Sequence, residues 1–328
     1  MSELLPPGIH YNVSRAVYDA DPGLNQSLIK DYIKAPSALA FDAKRNPEKY
    51  GGTKPEIDPA HFRVGNAIDC LLSEPKTYPE RFIVSPETYS VQMMQCPRCL
   101  GITDSQKCSK CKTERVPIQV DKPWNYVATH CIEWREAQTK AGKCVLSIAE
   151  SKQVSGMIEG IYRHPNVPTI LENSKRQVCL IANHPVFGYR LKGLLDLLPD
   201  CYPEWIFDNK SSGVGAAPAQ FHDQCAKLGY HIQAAFYMQL ARWCGLERIN
   251  NFGFIVVESV IPHDTVVHVF SEGDPEIELA REKYTEAMPK LVALLEGDRY
   301  PGYSNDWIKI KFKPWQLNPN LPQYEGLS

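Results

Sequence analysis

No apolar run in this chain approaches the roughly 20 residues that a membrane-spanning helix needs. Neither sign of charge is in excess. The 36 Lys+Arg face 38 Asp+Glu for a formal charge of -2, which excludes a uniformly basic nucleic-acid binder and leaves only local patches. Internal repeats and low-complexity tracts are also missing. The opening Met-Ser-Glu-Leu-Leu-Pro-Pro lacks the basic end and apolar stretch of a signal peptide, so the expectation is a cytoplasmic protein. What is present, 43% hydrophobic and 23% charged residues, excludes wholesale disorder. The 328 residues suit either about two domains or one large α/β domain.

The 11 cysteines are an odd number, and a chain of this length needs no disulfides to hold a core. Cys70, Cys131, Cys144, Cys179, Cys201, Cys225 and Cys244 are scattered and read as small buried hydrophobes. The other four cluster as Cys96-Pro-Arg-Cys99 and Cys108-Ser-Lys-Cys111. Two Cys-X2-Cys knuckles eight residues apart suit one tetrahedral, structural Zn²⁺ held by four thiolates. The surrounding residues 90–120 are polar, Lys-rich and short of large apolar groups, as expected of an insertion that needs a metal cross-link to fold.

Hydrophobic periodicity places helices over residues 25–34 and from Pro36 through Phe41. After a Gly/Pro-rich linker at 51–59, a further helix has Val64, Ile68, Leu71 and Leu72 on one face and stops at Pro75. Helices resume from Trp134 to Arg163, then cover 219–245 and 275–296. Strand-like runs occupy 177–182, 189–198, 204–210, 251–258 and 265–270. The division is an N-terminal helical part (1–89), the Cys insertion (90–120), a core (121–313) and an extended tail (314–328). Strands bracketed by helices predict an α/β fold, a mixed central sheet with helices packed on it.

Two neighbouring strands carry the chemistry. One carries Gly193-Leu-Leu-Asp196 and the next carries Ile206-Phe-Asp208-Asn-Lys210, with a Pro-Asp-Cys-Tyr-Pro turn between them. Strand alternation puts Asp208 and Lys210 on one face. Both acids follow apolar runs, where an uncompensated carboxylate is costly. Paired carboxylates suit a hard, oxygen-loving Mg²⁺ (or Mn²⁺), with the Asn209 carbonyl as a further ligand. The lysine can orient or deprotonate water, or steady a phosphoryl oxygen. An acid-X-Lys triplet alone is common, and a polar strand end is its ordinary reading.

The order Gly-Leu-Leu-Asp196, Ile-Phe-Asp208-Asn-Lys210-Ser-Ser, then Tyr230-His-Ile-Gln233-Ala-Ala-Phe-Tyr237 resembles the PD-(D/E)XK nucleases, and within them the RecE-type exonucleases. Leu24-Asn-Gln-Ser-Leu-Ile-Lys, Arg63-Val-Gly-Asn-Ala-Ile-Asp-Cys-Leu-Leu-Ser-Glu-Pro75 and Tyr78-Pro-Glu-Arg-Phe82 agree with that pattern. The resemblance implies a restriction-endonuclease-like core. It makes Asp196 and Asp208 metal ligands, Lys210 the catalytic lysine, and Gln233 and Tyr237 members of a motif behind the site. It also implies 5′→3′ degradation of one strand of linear duplex DNA, a ring of three or four subunits, and work beside a single-strand annealing protein of the RecT/Beta kind in a bacterial cell. Two positions depart from the family pattern. Asp69 stands where His is usual and is kept as a metal ligand; Gln177 stands where a Glu is frequent, which puts a second metal in doubt.

Basic residues Arg98, Lys107, Lys110, Lys112 and Arg115 give the insertion a local charge able to touch phosphate or simply to face water. Alternation in Lys309-Ile-Lys-Phe-Lys313 puts Lys309, Lys311 and Lys313 on one strand face, a DNA-facing stripe or a lysine-protected edge. His184, His222 and His231 have no partner spacing. Two other functions compete with an exonuclease. One is an endonuclease on branched or single-stranded DNA; the other is a DNA-binding or assembly protein with a weakened site.

Overall fold

The computed structural model describes residues 4–53 and 60–317. Its main sheet has six strands: β1 (Gly8–His10), β7 (Ser174–Asn183), β8 (Arg190–Pro199), β9 (Trp205–Ser212), β10 (Asn251–Glu258) and β11 (Thr265–Ser271). They lie in the order β1-β7-β8-β9-β10-β11, antiparallel throughout except that β9 and β10 are parallel. A parallel pair needs a crossover, supplied here by helices α9 (Pro218–Leu228) and α10 (Tyr230–Trp243). The mixed sheet and flanking helices agree with the α/β expectation.

One face of the sheet packs on α4 (Ala60–Ser73), α7 (Ile148–Arg163) and α8 (Val167–Glu172). Val64, Ile68 and Leu72 of α4 recur at a four-residue step and meet Val154, Met157 and Ile161 of α7, with Leu197, Phe207, Ile255 and Val257 from the strands. Ser147 caps α7 reciprocally with Glu150, satisfying two orphan backbone donors. The other face carries α10, almost wholly buried.

Contact clustering separates two units, Met1–Gln26 with Glu56–Glu282, and Ser27–Pro55 with Lys283–Ser328. The first holds the sheet and also α1 (Arg15–Ala20), α5 (Tyr78–Arg81), α6 (Thr129–Lys140), the parallel pair β2 (Phe82–Val84) and β6 (Cys144–Leu146), and the insertion strands β3 (Thr88–Gln95), β4 (Ile102–Thr103) and β5 (Val116–Pro123). The second holds α2 (Gln26–Lys34) from Ser27 on, α3 (Ala38–Arg45) and α12 (Pro314–Leu317). The division falls inside α11 (Pro275–Gly297). Within the second unit, buried Asp42 accepts hydrogen bonds from Tyr50 at 2.6 Å and Asn46 at 2.7 Å, so its charge is satisfied locally.

Several sequence expectations change. The helical run from Trp134 to Arg163 is interrupted by β6, because Gly142 turns left-handed (φ 80°) after α6 and Cys144–Leu146 then pairs with β2. The single helix over 219–245 is two, broken by Gly229 at φ 68°. Ser37, not Pro36, opens α3, since its hydroxyl accepts the Ala40 N–H. The insertion is a three-stranded antiparallel sheet reaching from Thr88 to Pro123, wider than 90–120. Cys201 is exposed in the β8–β9 turn, not buried. Lys309, Lys311 and Lys313 are not in a strand and so share no strand face. Pro314–Leu317 is helical rather than extended, and the remainder of the tail, like most of the 51–59 linker, lies outside the described residues.

Helix α10 seats on β8 at Gly193, where a Cβ would come within 2.8 Å of Leu240 and 3.0 Å of Tyr237. Gly193→Ala is therefore expected to cost about 1–3 kcal/mol of stability through overpacking, read as a lower urea midpoint at unchanged slope.

Candidate active site

Strands β8 and β9 share one regular ladder pair, Leu197 with Phe207. One residue further, the Asn209 N–H donates to the Asp196 side-chain Oδ2 at 3.0 Å instead of to a backbone carbonyl. A carboxylate thus takes a backbone acceptor's place at the point where the two strands cease to pair regularly.

Asp208 is buried, with two partners of its own. Gln233, from α10, donates through Nε2 to Asp208 Oδ1 at 2.6 Å. Lys210 forms an ion pair with Asp208 Oδ2, which has no hydrogen bond besides it. The Lys210 ammonium also faces the rings of Tyr230 at 5.2 Å and Phe254 at 5.8 Å. Burial works against the charged lysine, but Asp208 and Asp196 outweigh it and its pKa is raised. Lys210 is a cation in this setting.

Asp69 stands on α4, where Ser73 one turn on donates to its Oδ1 at 3.3 Å. Desolvation first and then Asp208 raise its pKa. Asp196 is raised well above the carboxylate range, by desolvation and then by Asp208 and Asp69, while Lys210 and the Asn209 N–H pull the other way. Asp69 and Asp196, whose ionisation is disfavoured first by burial and then by Asp208, stand in a site short of positive charge.

Tyr237 is buried, with its pKa pushed well up by desolvation. Its ring fills the space over Gly193 and stacks on Phe252 at 6.2 Å. It holds α10 to β8 beside Asp196, while Gln233 on the same helix reaches Asp208. Asp69, Asp196, Asp208, Lys210, Gln233 and Tyr237 are therefore electrostatic or hydrogen-bonded neighbours.

The donor chemistry fits a hard divalent cation: three carboxylates, with Asp208 Oδ2 buried and met by Lys210 alone, and both amide atoms of Asn209 buried and without hydrogen bonds. Buried polar atoms without partners call for a ligand or water.

Two features were not apparent from the sequence. Tyr230 presents its ring to the Lys210 ammonium. Gln177 lies across from Asp196 in the β7–β8 register, between the pairs Arg176–Leu197 and Val178–Leu195, and adopts φ 50° inside a strand. For a side chain larger than glycine that conformation is strained and is typical of functional sites. No periodicity signal reports it.

The four cysteine sulfurs of the insertion lie within 4.8 Å of one another, with Cys99 and Cys108 3.6 Å apart. Tetrahedral Zn–S bonds of about 2.3 Å separate sulfurs by about 3.8 Å. The two knuckles share one backbone design. Cys96 N–H donates to the Gly101 carbonyl and Leu100 N–H to that of Cys96; Cys108 N–H donates to Thr113 and Lys112 N–H to Cys108. Leu100 and Lys112, at equivalent positions, both have φ 55°. Hydrogen bonds, first from Thr113, lower the Cys96 thiol to about 5, whereas its bond to Cys99 and burial push Cys111 up to about 12. Arg115 does not project from the insertion as a free cation. Its guanidinium donates to Thr103 Oγ1 and to the carbonyls of Ser105 and Lys107.

Comparison with known proteins gives three findings. The family described as a PDDEXK-like domain of unknown function (DUF3799) matches residues 26–309. A solved structure from Eubacterium rectale that carries an exonuclease name is similar in fold, at TM-score 0.54 and 12% identity, over 95% of this chain and 100% of its own. A phage-related exonuclease from Haemophilus somnus 129PT is similar at TM-score 0.32 and 14% identity, over 45% of this chain and 73% of its own. No curated protein matches.

Two outcomes follow from the site. Between the unfolded carboxylate value of about 3.9 and the raised value of Asp196, the unfolded chain releases a proton that the folded one keeps. Without metal, stability therefore falls as pH rises through that window. Asp196→Asn is expected to flatten this slope and to stabilise the metal-free protein at pH 7, by about 1.4 kcal/mol per unit of elevation, measured by urea unfolding across pH. The purified chain is expected to carry about one zinc per molecule by elemental analysis, and Cys96→Ser with Cys108→Ser to abolish it. Hydrogen exchange should then show lost protection within 88–123, with the main sheet unchanged.

Proposed function

The chain belongs to the PDDEXK-like family of unknown function, and from that membership together with the acid–lysine cluster we propose that it is a Mg²⁺-dependent deoxyribonuclease, an exonuclease acting on the ends of linear double-stranded DNA. The observation that carries this reading is the convergence of Asp69, Asp196 and Asp208 on Lys210, with Asp208 Oδ2 met by the Lys210 ammonium alone and the Asn209 side-chain amide without hydrogen bonds. A charge-deficient, partly orphaned set of oxygens is suited to a cation and a phosphodiester.

Asp196 and Asp208, with Asp69 and the Asn209 carbonyl, are the residues that would hold Mg²⁺ (or Mn²⁺). Bound there, the ion lowers the pKa of a water and neutralises a phosphate oxygen. Lys210, kept protonated, places its ammonium against the charge that develops on the phosphate oxygens. Gln233 fixes Asp208 by hydrogen bond, so that the carboxylate is already oriented before substrate arrives. Tyr237 keeps α10 seated and acts through that helix as a positioning residue. Hydrolysis by in-line attack leaves a 5′-phosphate and a 3′-hydroxyl.

The finer proposal is 5′→3′ removal of one strand, in a ring of subunits, for recombination by strand annealing with a RecT/Beta-like protein. The cysteine insertion is assigned a structural Zn²⁺, and its basic residues a contact with DNA or with a neighbouring subunit. A second reading, a DNA-binding protein with a weakened site, draws on the neutral and strained Gln177 opposite Asp196.

Lys210→Ala and Asp208→Asn are each expected to lower Mg²⁺-dependent nucleotide release from linear duplex DNA by about 10²–10³-fold or more, with circular dichroism unchanged. Chelator should abolish release, covalently closed circles should survive, and 5′- against 3′-labelled ends should report polarity. Full activity in either variant would sink the site assignment, and cutting of closed circles would favour an endonuclease.

A further inference from the structure

Strands β9 and β10 run parallel, so the chain leaves both at the same end of the sheet, with Ser212 opposite Glu258. Ser212 stands two residues beyond Lys210, about 7 Å along the strand at the usual rise. The loops that follow, 213–217 and 259–264, are joined where the Ser259 N–H donates to the Ser212 carbonyl at 2.9 Å. Both hold bare aliphatic side chains in water: Val214 is 56% exposed, Val260 55% and Ile261 86%.

Aliphatic side chains on a loose loop would call for no explanation. These loops are braced. Ser212 Oγ donates to the Gly215 carbonyl at 2.7 Å, the Ala216 N–H donates to Glu258 Oε1 at 2.8 Å, and His268 Nε2 lies 2.8 Å from the Ala216 carbonyl. In the second loop, Gln153 Nε2 donates to the Ser259 carbonyl at 2.6 Å, the His263 N–H to that of Val260 at 2.8 Å, and Arg163 to that of Pro262 at 3.4 Å. Helix α7 makes room for His263 with two glycines. A Cβ on Gly160 would run into the His263 carbonyl oxygen, and one on Gly156 would come within 2.6 Å of the His263 ring. Backbone held this firmly under uncovered apolar side chains forms a preorganised contact surface, because little ordering is left for a ligand to impose.

Neither loop contains lysine or arginine, so the backbone phosphates of DNA are not what these loops grip. Inside a duplex the flat faces of the bases are covered by their neighbours. At a terminus one such face is open, and aliphatic side chains pack against bases wherever stacking is interrupted. We infer that Val214, Val260 and Ile261 seat the open face of the terminal base pair of a DNA duplex. The inference rests on the nuclease reading and deepens it. Asp208 and Lys210 meet a backbone phosphate, and the braced loops require that this phosphate lie beside an end.

The experiment is binding of the full chain, without added Mg²⁺ so that nothing is cut, to a short blunt duplex with a fluorescent base analogue in its terminal pair. Covalently closed circular duplex is the competitor. Wild type is expected to prefer the linear duplex, and to change the fluorescence of the terminal analogue but not of one placed mid-duplex. Ile261→Ser and the double variant Val214→Ser with Val260→Ser are each expected to weaken end binding by about 10-fold and to abolish the fluorescence change. Binding to closed circles should be unchanged. Ile261→Leu keeps the apolar surface and should bind as wild type does. All three side chains are exposed, so the substitutions leave the core intact. Wild type that does not prefer ends, serine variants that keep the preference, or equal losses on ends and circles overturn the inference. A chain that never cuts with Mg²⁺ yet loses end preference in the variants refutes the nuclease reading and leaves the seat standing. One that cuts, with variants that still discriminate ends, does the reverse.

Discussion

The hydrogen bond from the Asn209 N–H to the Asp196 carboxylate is the interaction on which the site depends. A regular antiparallel pair would have used that N–H in the ladder and held the strands closed. Here a side chain takes the place of a backbone acceptor, next to the one regular pair of Leu197 with Phe207. The departure sets Asp196 and Asp208 beside each other where β8 and β9 cease to pair regularly. α4 then brings Asp69, and α10 brings Gln233 and Tyr237. The arrangement concentrates three acids around one lysine, and the raised pKa values of Asp69 and Asp196 follow from burial first and then from that crowding.

Two residues one turn apart on α10 illustrate how packing supports chemistry. Near its start, Gln233 orients Asp208; one turn later Tyr237 rests over Gly193, whose missing side chain makes the room. A helix held this closely to β8 keeps the amide of Gln233 at a fixed distance from β9. The insertion solves a different problem. Its β3–β4–β5 sheet is narrow, and the paired knuckles at Cys96–Gly101 and Cys108–Thr113 repeat one backbone conformation that gathers four sulfurs. With Cys96 and Cys108 buried and none of the module's large apolar side chains fully so, a shared metal is the available means of cross-linking it.

Much of the architecture was legible in the chain itself. Alternation located β7 to β11 within a few residues, the spacing of Val64, Ile68 and Leu72 located α4, and two Cys-X2-Cys pairs located the insertion. Expectations failed where the deciding influence was not periodic. Gly142 and Gly229 end helices through left-handed backbone, which hydrophobic spacing does not register. Three residues became β6 only because β2 was there to pair with them. In residues 309–313 the alternating pattern of a strand is present, yet the segment is not in a strand.

What the sequence by itself determined is the inventory: which residues are acids, amides and thiols, and on which kind of element each stands, because turn chemistry and period are local properties. Only the tertiary structure decided that Asp196 would bind an N–H of the next strand, that Tyr230 would face Lys210, and that Gln177 would sit strained across from Asp196. Those outcomes depend on register, twist and helix docking, which are set by contacts between residues distant in the chain and are therefore not written in any short stretch of it.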